Sequence, residues 1–162
     1  MPDIAALAGA VLNAYRAAGK MAATAESCTG GMIAAALTDI AGSSDVVERG
    51  FVTYSNAAKT EMLGVDAALI TDHGAVSAEV AAAMAAGALT HSNAQVAVSV
   101  TGIAGPGGGS PTKPVGLVWF GLAAGGRVRT EREVFSGNRA SVREQATARA
   151  LGLLLDGLKR LA

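Results

Sequence analysis

Apolar residues recur along the chain with two different periods. From Ile4 to Tyr15 they follow helical spacing, and Gly19 is the predicted end of that helix. Elsewhere, short apolar runs rich in β-branched and aromatic residues indicate strands. The predicted strands are MAATAES (residues 21–27), RGFVTYS (49–55), QVAVSVTG (95–102), VGLVWFGLAAG (115–125) and RVRTEREVF (127–135).

Helical patterns occupy the intervals between these strands. The predicted helices are GGMIAAALTDI (30–40), with Cys28 or Thr29 near its start, NAAKTEMLG (56–64), AEVAAAMAAGALTH (78–91), with Ser77 as its cap, and a last helix that Asn138 opens. The inward face of the last helix is expected to include Val142, Ala146, Ala150, Leu153 and Leu154.

The order of these elements predicts the fold class. QVAVSVTG is almost wholly apolar, as expected of a central strand that is covered on both faces. RVRTEREVF is heavily charged, which suits an exposed sheet edge, and it follows its predecessor through a hairpin at Gly125 and Gly126. Strands alternate with helices before that hairpin. The chain is therefore predicted to be an α/β protein, a three-layer α/β/α sandwich with a mixed, mainly parallel sheet of about five or six strands.

Composition narrows the possible functions. The 162 residues fit a single domain spanning 1–162, and with 51% hydrophobic and 16% charged residues the chain can bury a core. The formal net charge is zero and the basic residues are scattered, so no nucleic-acid partner is expected. The apolar runs are too short to span a membrane, and the N-terminus lacks the basic start of an export signal. We expect a soluble, cytoplasmic protein.

Disulfide and metal chemistry are not expected. Cys28 is the only cysteine, which rules out an internal disulfide. His73 and His91 stand alone, without the spacing of a metal site. His91 is expected at a helix end and His73 in a turn, so a serine–histidine–aspartate triad has no support. No cofactor is predicted.

The segment TAESCTGG (24–31) joins the first predicted strand to a helix and has two interpretations. Ser27 can be the helix cap, which its spacing favours. Ser27 can instead be a nucleophile, because Cys28 and Thr29 are also polar and only one residue can be the cap. Gly30 and Gly31 would let the backbone approach a ligand, and N–H groups there could hold a phosphate or a developing oxyanion.

A serine nucleophile needs a base, and Lys59 is the best candidate. Lysine acts as a base only where burial or a nearby cation lowers its pKa. Lys59 follows a predicted strand end in the mostly uncharged segment VTYSNAAK. The competing interpretation is a helix lysine that faces solvent. Tyr54 would then be an ordinary strand residue with a hydrated hydroxyl.

A second glycine-rich segment follows the predicted central strand. The segment 102–109 contains five glycines and Pro106, and it is either a flexible turn or a cradle of N–H groups for a phosphate or carboxylate. Thr101 would point its hydroxyl into the same crevice. Ligands of α/β sheets bind where strands end and helices begin, which favours both segments as site candidates. The glycines assigned to substrate contact are Gly102, Gly105, Gly107 and Gly108.

The combination TAESCTGG, VTYSNAAK, GAVS, VTGIAGPGGGS and KPVG resembles the CinA C-terminal domain family. The resemblance runs from Leu7 to about Leu155, in the family's order. Its stand-alone members are nicotinamide mononucleotide deamidases, so it implies hydrolysis of the carboxamide of that nucleotide, without a metal. By the same resemblance, Ser27 matches a nucleophile and Lys59 its base. Tyr54 matches a neighbour of that pair, Thr101 a supporting hydroxyl, and the glycine loop a substrate-facing segment.

Three rival hypotheses accompany this interpretation. Cys28 could be the nucleophile in place of Ser27, although buried cysteines are usually inert. The same crevice could bind a nucleotide without chemistry, or the protein could be an amidase or pyrophosphatase acting on another nucleotide. A homo-oligomer is expected from the resemblance and the size, with a dimer as the first guess.

Overall fold

One mixed five-stranded sheet runs through the computed structural model, which describes residues 2–161. β1 is parallel to β2 and to β3, whereas β4 is antiparallel to β3 and to β5. The order across the sheet is β2-β1-β3-β4-β5, so the carboxyl ends of β1, β2 and β3 lie together at one end of the sheet. The strands are β1 (Ala22–Glu26), β2 (Val47–Val52), β3 (Val96–Gly102), β4 (Leu117–Ala124) and β5 (Arg127–Val134).

Helices cover both faces of this sheet. Apolar side chains of α1, α2 and α6 form one core with β3 and β4. Those of α3, α4 and α5 form a second core on the opposite face. The arrangement confirms the predicted three-layer α/β/α sandwich. The helices of the described residues are α1 (Ile4–Ala18), α2 (Met32–Thr38), α3 (Asn56–Leu63), α4 (Ala67–His73), α5 (Ala78–Thr90) and α6 (Arg139–Lys159), with a 3₁₀ turn at Ser43–Asp45.

The central strand is β3, as predicted. Its side chains alternate between the two layers, which strand geometry requires. Val98 and Val100 enter the core beneath α6, whereas Ala97 enters the core beneath α5. The Ser99 hydroxyl also faces α5, where it donates to the Ala81 carbonyl oxygen at 2.6 Å. The charged strand β5 forms one edge of the sheet, which confirms the prediction that RVRTEREVF is an edge strand.

Two helices differ from the sequence prediction. α2 begins at Met32, so the expectation that it starts near Cys28 or Thr29 is wrong. The reason is that Gly30 and Gly31 have φ values of +59° and +106°, left-handed conformations that a helix cannot contain. α4 is absent from the prediction because seven residues give too short a run to show a helical period.

The turn from β2 into α3 also comes earlier than predicted. β2 ends at Val52, and from Thr53 onward the chain leaves the sheet. Ser55 caps α3, because its hydroxyl oxygen accepts the Ala58 N–H at 3.0 Å. The cap fixes where the first turn of α3 begins, and it thereby positions the side chains that this helix turns toward the sheet.

Other predicted boundaries are confirmed. Gly19 ends α1 with a φ of 65°, and the side chains of Ser77 and Asn138 cap α5 and α6. Gly125 and Gly126 turn β4 back into β5. Among the described residues, no helix combines the length and the hydrophobicity needed to cross a membrane.

Candidate active site

Ser27 and Lys59 lie side by side at the carboxyl ends of the parallel strands. Ser27 follows β1 directly, and its N–H donates to the Val100 carbonyl oxygen of β3 at 2.9 Å, which holds its backbone in place. Lys59 lies in α3 with only 1% of its surface exposed. Its Nζ is 3.0 Å from the Ser27 Oγ. The fold therefore joins two residues that are 32 positions apart in the sequence.

The other partners of Lys59 are main-chain carbonyls. Its Nζ lies 2.9 Å from the Thr53 oxygen and 3.5 Å from the Tyr54 oxygen. Among the described residues, no carboxylate forms an ion pair with Lys59. A buried ammonium group without a counter-ion is costly, so this site favours the neutral amine.

The environment of Lys59 shifts the protonation equilibrium of its amine toward the neutral form. Burial lowers the pKa of Lys59, and this outweighs the opposite influence of the Cys28 thiol. A neutral amine has two N–H bonds, which can point at the Thr53 and Tyr54 carbonyls. When the amine is neutral, its lone pair can face Ser27, so that the Ser27 hydroxyl can donate to Lys59 across the 3.0 Å between Oγ and Nζ. This is the geometry of a hydroxyl that is ready to lose its proton to a base.

The turn from Ser27 to Gly31 presents unpaired N–H groups beside this hydroxyl. The Gly30 N–H is already used, since it donates to the Ser27 carbonyl oxygen at 3.0 Å. Within residues 2–161, the N–H groups of Cys28, Thr29 and Gly31 have no protein acceptor. Successive N–H groups in such a turn form a concavity that binds anions. The turn can therefore receive negative charge that develops next to Ser27.

Glu26 is a fully buried carboxylate that the sequence prediction missed. Its oxygens accept the N–H groups of Ile33 at 2.9 Å and Ala34 at 3.1 Å. The Thr29 hydroxyl donates to the same carboxylate at 2.6 Å. The first N–H groups of α2 are thus satisfied by the protein and are not free for a substrate anion. An acid at the end of an otherwise apolar strand was the one feature that could have indicated this role.

Cys28 packs beneath the turn. Its side chain is 6% exposed, and burial raises the pKa of its thiol to about 12. The thiol is therefore protonated at neutral pH, unlike the thiolate that nucleophilic cysteines require. A Cβ built on Gly102 would lie 3.1 Å from the Cys28 sulfur and 2.7 Å from a methyl group of Val118. Gly102 therefore permits close packing against Cys28.

Thr101 and Tyr54 take different positions around the dyad formed by Ser27 and Lys59. Thr101 is buried on β3, and its hydroxyl donates to the Ala75 carbonyl oxygen at 2.9 Å, ahead of α5. The single proton of that hydroxyl is thus committed to the main chain. Tyr54 is 60% exposed and approaches Lys59 only through its carbonyl. The Tyr54 hydroxyl instead accepts a hydrogen bond from Arg139 at 3.0 Å.

The glycine loop stands at the rim of the site. Arg139 donates to the Gly105 carbonyl oxygen at 2.9 Å as well as to Tyr54, and so links the loop to the end of β2. Lys113 fixes the far end of the loop by donating to the His73 carbonyl oxygen of α4 at 2.6 Å. Gly107 and Gly108 are exposed between these anchors. The loop has both ends anchored and its middle open to a ligand.

Two arginines of α6 contact the site and are absent from the sequence prediction. Arg139 bridges the rim as described above. Arg143 donates to the carbonyl oxygens of Cys28 at 3.0 Å and Thr29 at 3.3 Å. No local pattern could indicate these contacts, since 115 residues separate Arg143 from Cys28.

The family profile described as the CinA C-terminal domain matches residues 4–158. The chain belongs to this family. The match spans all the strands, and it includes both Ser27 and Lys59. The resemblance inferred from the short segments is therefore confirmed.

Individual relatives agree with this assignment. The nicotinamide-nucleotide amidohydrolase PncC of Escherichia coli K12 is 55% identical over 153 residues, which cover 94% of this chain and 93% of that protein. A CinA-like protein of Mycolicibacterium vanbaalenii is 62% identical over 142 residues, 87% of this chain, but the chain spans only 34% of that relative's length. The crystal structure of the competence/damage inducible protein CihA from Agrobacterium tumefaciens has a TM-score of 0.94 at 50% identity, with 98% of this chain and 97% of that chain covered.

Proposed function

We propose that the chain is a nicotinamide-nucleotide amidohydrolase, which converts nicotinamide mononucleotide and water into nicotinate mononucleotide and ammonia. The observation that carries the proposal is the buried contact of 3.0 Å between the Lys59 Nζ and the Ser27 Oγ. The substrate class is inferred from the Escherichia coli relative, which is named a nicotinamide-nucleotide amidohydrolase and of which 93% is covered. Residues 1–162 would act as one catalytic domain.

The first half of the reaction acylates Ser27. Neutral Lys59 takes the hydroxyl proton of Ser27, and the Ser27 oxygen attacks the carboxamide carbon. A tetrahedral intermediate forms, and its oxyanion lies against the unpaired N–H groups of Cys28 and Thr29. Each such donor is typically worth about 3–4 kcal/mol of transition-state stabilisation. Collapse of the intermediate breaks the C–N bond, and the proton held by Lys59 passes to the leaving nitrogen to give ammonia.

The second half releases the acid. A water molecule enters the position that ammonia has left, and Lys59 removes one of its protons as it attacks the acyl carbon. The second tetrahedral intermediate expels the Ser27 oxygen, which recovers a proton from Lys59. Nicotinate mononucleotide leaves, and the dyad returns to its starting state. The cycle consumes one water and needs no metal or redox cofactor.

The remaining candidate residues support this chemistry from a distance. Thr101 holds the segment before α5 against β3 through the Ala75 carbonyl. Tyr54 contributes its carbonyl to Lys59 and exposes its ring at the rim, where a pyridine ring can stack. Gly107 and Gly108 are exposed in the glycine loop, where they can contact the nucleotide, and Arg139 links the buried Gly105 of that loop to Tyr54. The cytoplasmic location and the homo-oligomeric state, with a dimer as the first guess, stay predictions.

The test measures ammonia released from nicotinamide mononucleotide by the purified protein. Ser27→Ala is expected to abolish turnover, and Lys59→Met is expected to do the same without unfolding the chain. Cys28→Ala is the matched control, because it changes the adjacent residue and is expected to keep most of the activity. Brief incubation followed by intact-mass analysis should reveal an acyl group on Ser27.

Each alternative gives a different result. Thermal stabilisation by the nucleotide without ammonia would indicate a binding module. Release of ammonia only from other nucleotide amides, or of phosphate only from nucleotide diphosphates, would show that the protein acts on a different nucleotide. Loss of activity in Cys28→Ala with full activity in Ser27→Ala would transfer the nucleophile by one residue and contradict the proposed dyad.

A further inference from the structure

Arg143 holds the nucleophile turn from the side opposite Lys59. Lys59 belongs to α3 in one helical layer, whereas Arg143 belongs to α6 in the other. The Arg143 Nε donates to the Cys28 carbonyl oxygen at 3.0 Å, and its Nη2 donates to the Thr29 carbonyl oxygen at 3.3 Å. A Cβ built on Gly30 would lie 3.3 Å from the same Nη2. The guanidinium plane thus lies directly against the backbone of the turn.

These two carbonyls belong to peptide groups that carry the N–H groups of the turn. The Cys28 carbonyl shares its peptide with the Thr29 N–H. In a trans peptide the C=O and N–H bonds point in opposite directions. The only cis bond of the described residues is the one before Pro106. Because the Cys28 carbonyl points at α6, the Thr29 N–H points away from α6, and it has no acceptor within the described residues.

The charge of Arg143 also strengthens that N–H as a donor. No ion pair to a carboxylate neutralises Arg143 among residues 2–161. Hydrogen bonds from a charged donor are about twice as strong as neutral ones, and they polarise the groups they bind. Withdrawal of electron density through the Cys28 carbonyl makes the Thr29 N–H a better partner for an anion.

We propose that Arg143 is a positioning residue for the acyl-transfer step. It aligns and polarises the Thr29 N–H, and this N–H donates to the oxyanion that forms when the Ser27 oxygen attacks the carboxamide carbon. The inference rests on the proposed function for the nature of the reaction but not for the identity of the substrate. Arg143 itself contacts neither the Ser27 Oγ nor the Lys59 Nζ. Its effect reaches the reaction through the peptide between Cys28 and Thr29.

The experiment measures Ser27 reactivity in two ways that do not share a substrate. One is the rate at which a fluorophosphonate probe labels Ser27, since the P=O oxygen of the probe needs the same donor as the carboxamide oxygen. The other is kcat and KM with nicotinamide mononucleotide. Arg143→Met removes the charge and keeps an apolar stem, whereas Arg143→Lys keeps the charge but cannot bind both carbonyls in the same plane. Arg149→Met is the control, because Arg149 is on the same helix and pairs with Glu131 away from the turn.

We expect Arg143→Met to slow labelling and to lower kcat by about tenfold to a hundredfold, less than the loss of a whole oxyanion donor, while KM stays nearly constant. Arg143→Lys should lie between Arg143→Met and the wild type, and Arg149→Met should match the wild type. A residue that only ties α6 to the turn would instead lower the melting temperature without this separation of kcat from KM. Folded Arg143→Met that labels at the wild-type rate would overturn the proposal.

Two further comparisons keep the outcome decisive. If Arg143→Met does not fold, Arg143→Lys decides, and a wild-type labelling rate in that folded variant would equally overturn the proposal. If the wild type releases no ammonia from nicotinamide mononucleotide but Ser27 labelling still depends on Arg143, the proposed substrate is wrong and the role of Arg143 stands. If the wild type releases ammonia normally but neither kcat nor Ser27 labelling depends on Arg143, the proposed function stands and the role of Arg143 is wrong.

Discussion

Replacing Lys59 with methionine should change how the stability of the protein depends on pH. The amine is 1% exposed and has three oxygen partners, the Ser27 hydroxyl and the carbonyls of Thr53 and Tyr54. Methionine has a similar length and volume, so it fills the same space without a titratable group. The variant also leaves the two carbonyls without a donor, which lowers its stability by an amount that does not depend on pH.

The sign and size of the effect follow from the direction of the pKa shift. Burial lowers the pKa of Lys59 in the folded state, so between the folded pKa and the unfolded value of about 10.4 the unfolded chain binds more protons. The free energy of unfolding of the wild type therefore rises with pH in that window, relative to the methionine variant. The slope for one group approaches about 1.4 kcal/mol per pH unit. Below the folded pKa the difference between the two proteins is constant.

The assay is urea unfolding of both proteins at a series of pH values from 6 upward to roughly the unfolded pKa of lysine. Subtracting the two free energies cancels every other group that titrates equally in both. The pH at which the difference begins to rise gives the folded pKa of Lys59. The rise of kcat/KM with pH should have its midpoint at the same value, because the neutral amine is the base.

Parallel stability curves for the two proteins over the whole range would refute this account of Lys59. They would mean that the amine keeps its ordinary pKa in the folded protein and is charged at neutral pH. A kcat/KM midpoint far from the break in the stability difference would instead separate the stability effect from the catalytic role.

Two further pairs of substitutions, each a test with its control, probe the residues that support the site. Glu26→Gln should lower the free energy of unfolding by about 1–3 kcal/mol in a urea titration, because it weakens the acceptor at the start of α2. Glu131→Gln is the control. It removes a partly exposed ion pair and should lower the free energy of unfolding by at most about 1 kcal/mol. Gly102→Ala should cost about 1–3 kcal/mol, because its Cβ would lie 2.7 Å from Val118. Gly107→Ala has no atom within 4 Å of the new Cβ and should leave the melting temperature unchanged, so equal effects at the two glycines would contradict the packing argument.

Much of the fold could be predicted because its elements carry strong local patterns. β3 is mostly apolar and β5 is charged, so composition indicates their central and edge positions in the sheet. The caps at Ser77 and Asn138 follow from the preference of serine and asparagine for helix starts. α4 was beyond such inference, since seven residues between two loops show no period.

The candidate site could be predicted only in part. Their side-chain chemistry and their positions at predicted strand ends indicate Ser27 and Lys59 as candidates. Their contact, however, depends on the parallel pairing of β1 with β2, which brings the two strand ends together. Glu26 reads locally as the polar end of a strand, and only its distance to Ile33 identifies it as a helix cap. Arg143 joins the turn through tertiary packing alone. Long-range contacts of this kind leave no trace in local spacing.

The hydrogen bonds between Arg143 and the turn have a consequence for the order of events during synthesis. Cys28 emerges from the ribosome 115 residues before the guanidinium that binds its carbonyl, and the four strands β2 to β5 are translated in between. A nascent chain can therefore complete the sheet while residues 28 and 29 still lack their restraint. Full reactivity of the serine would have to wait until the helix that carries Arg143 has docked.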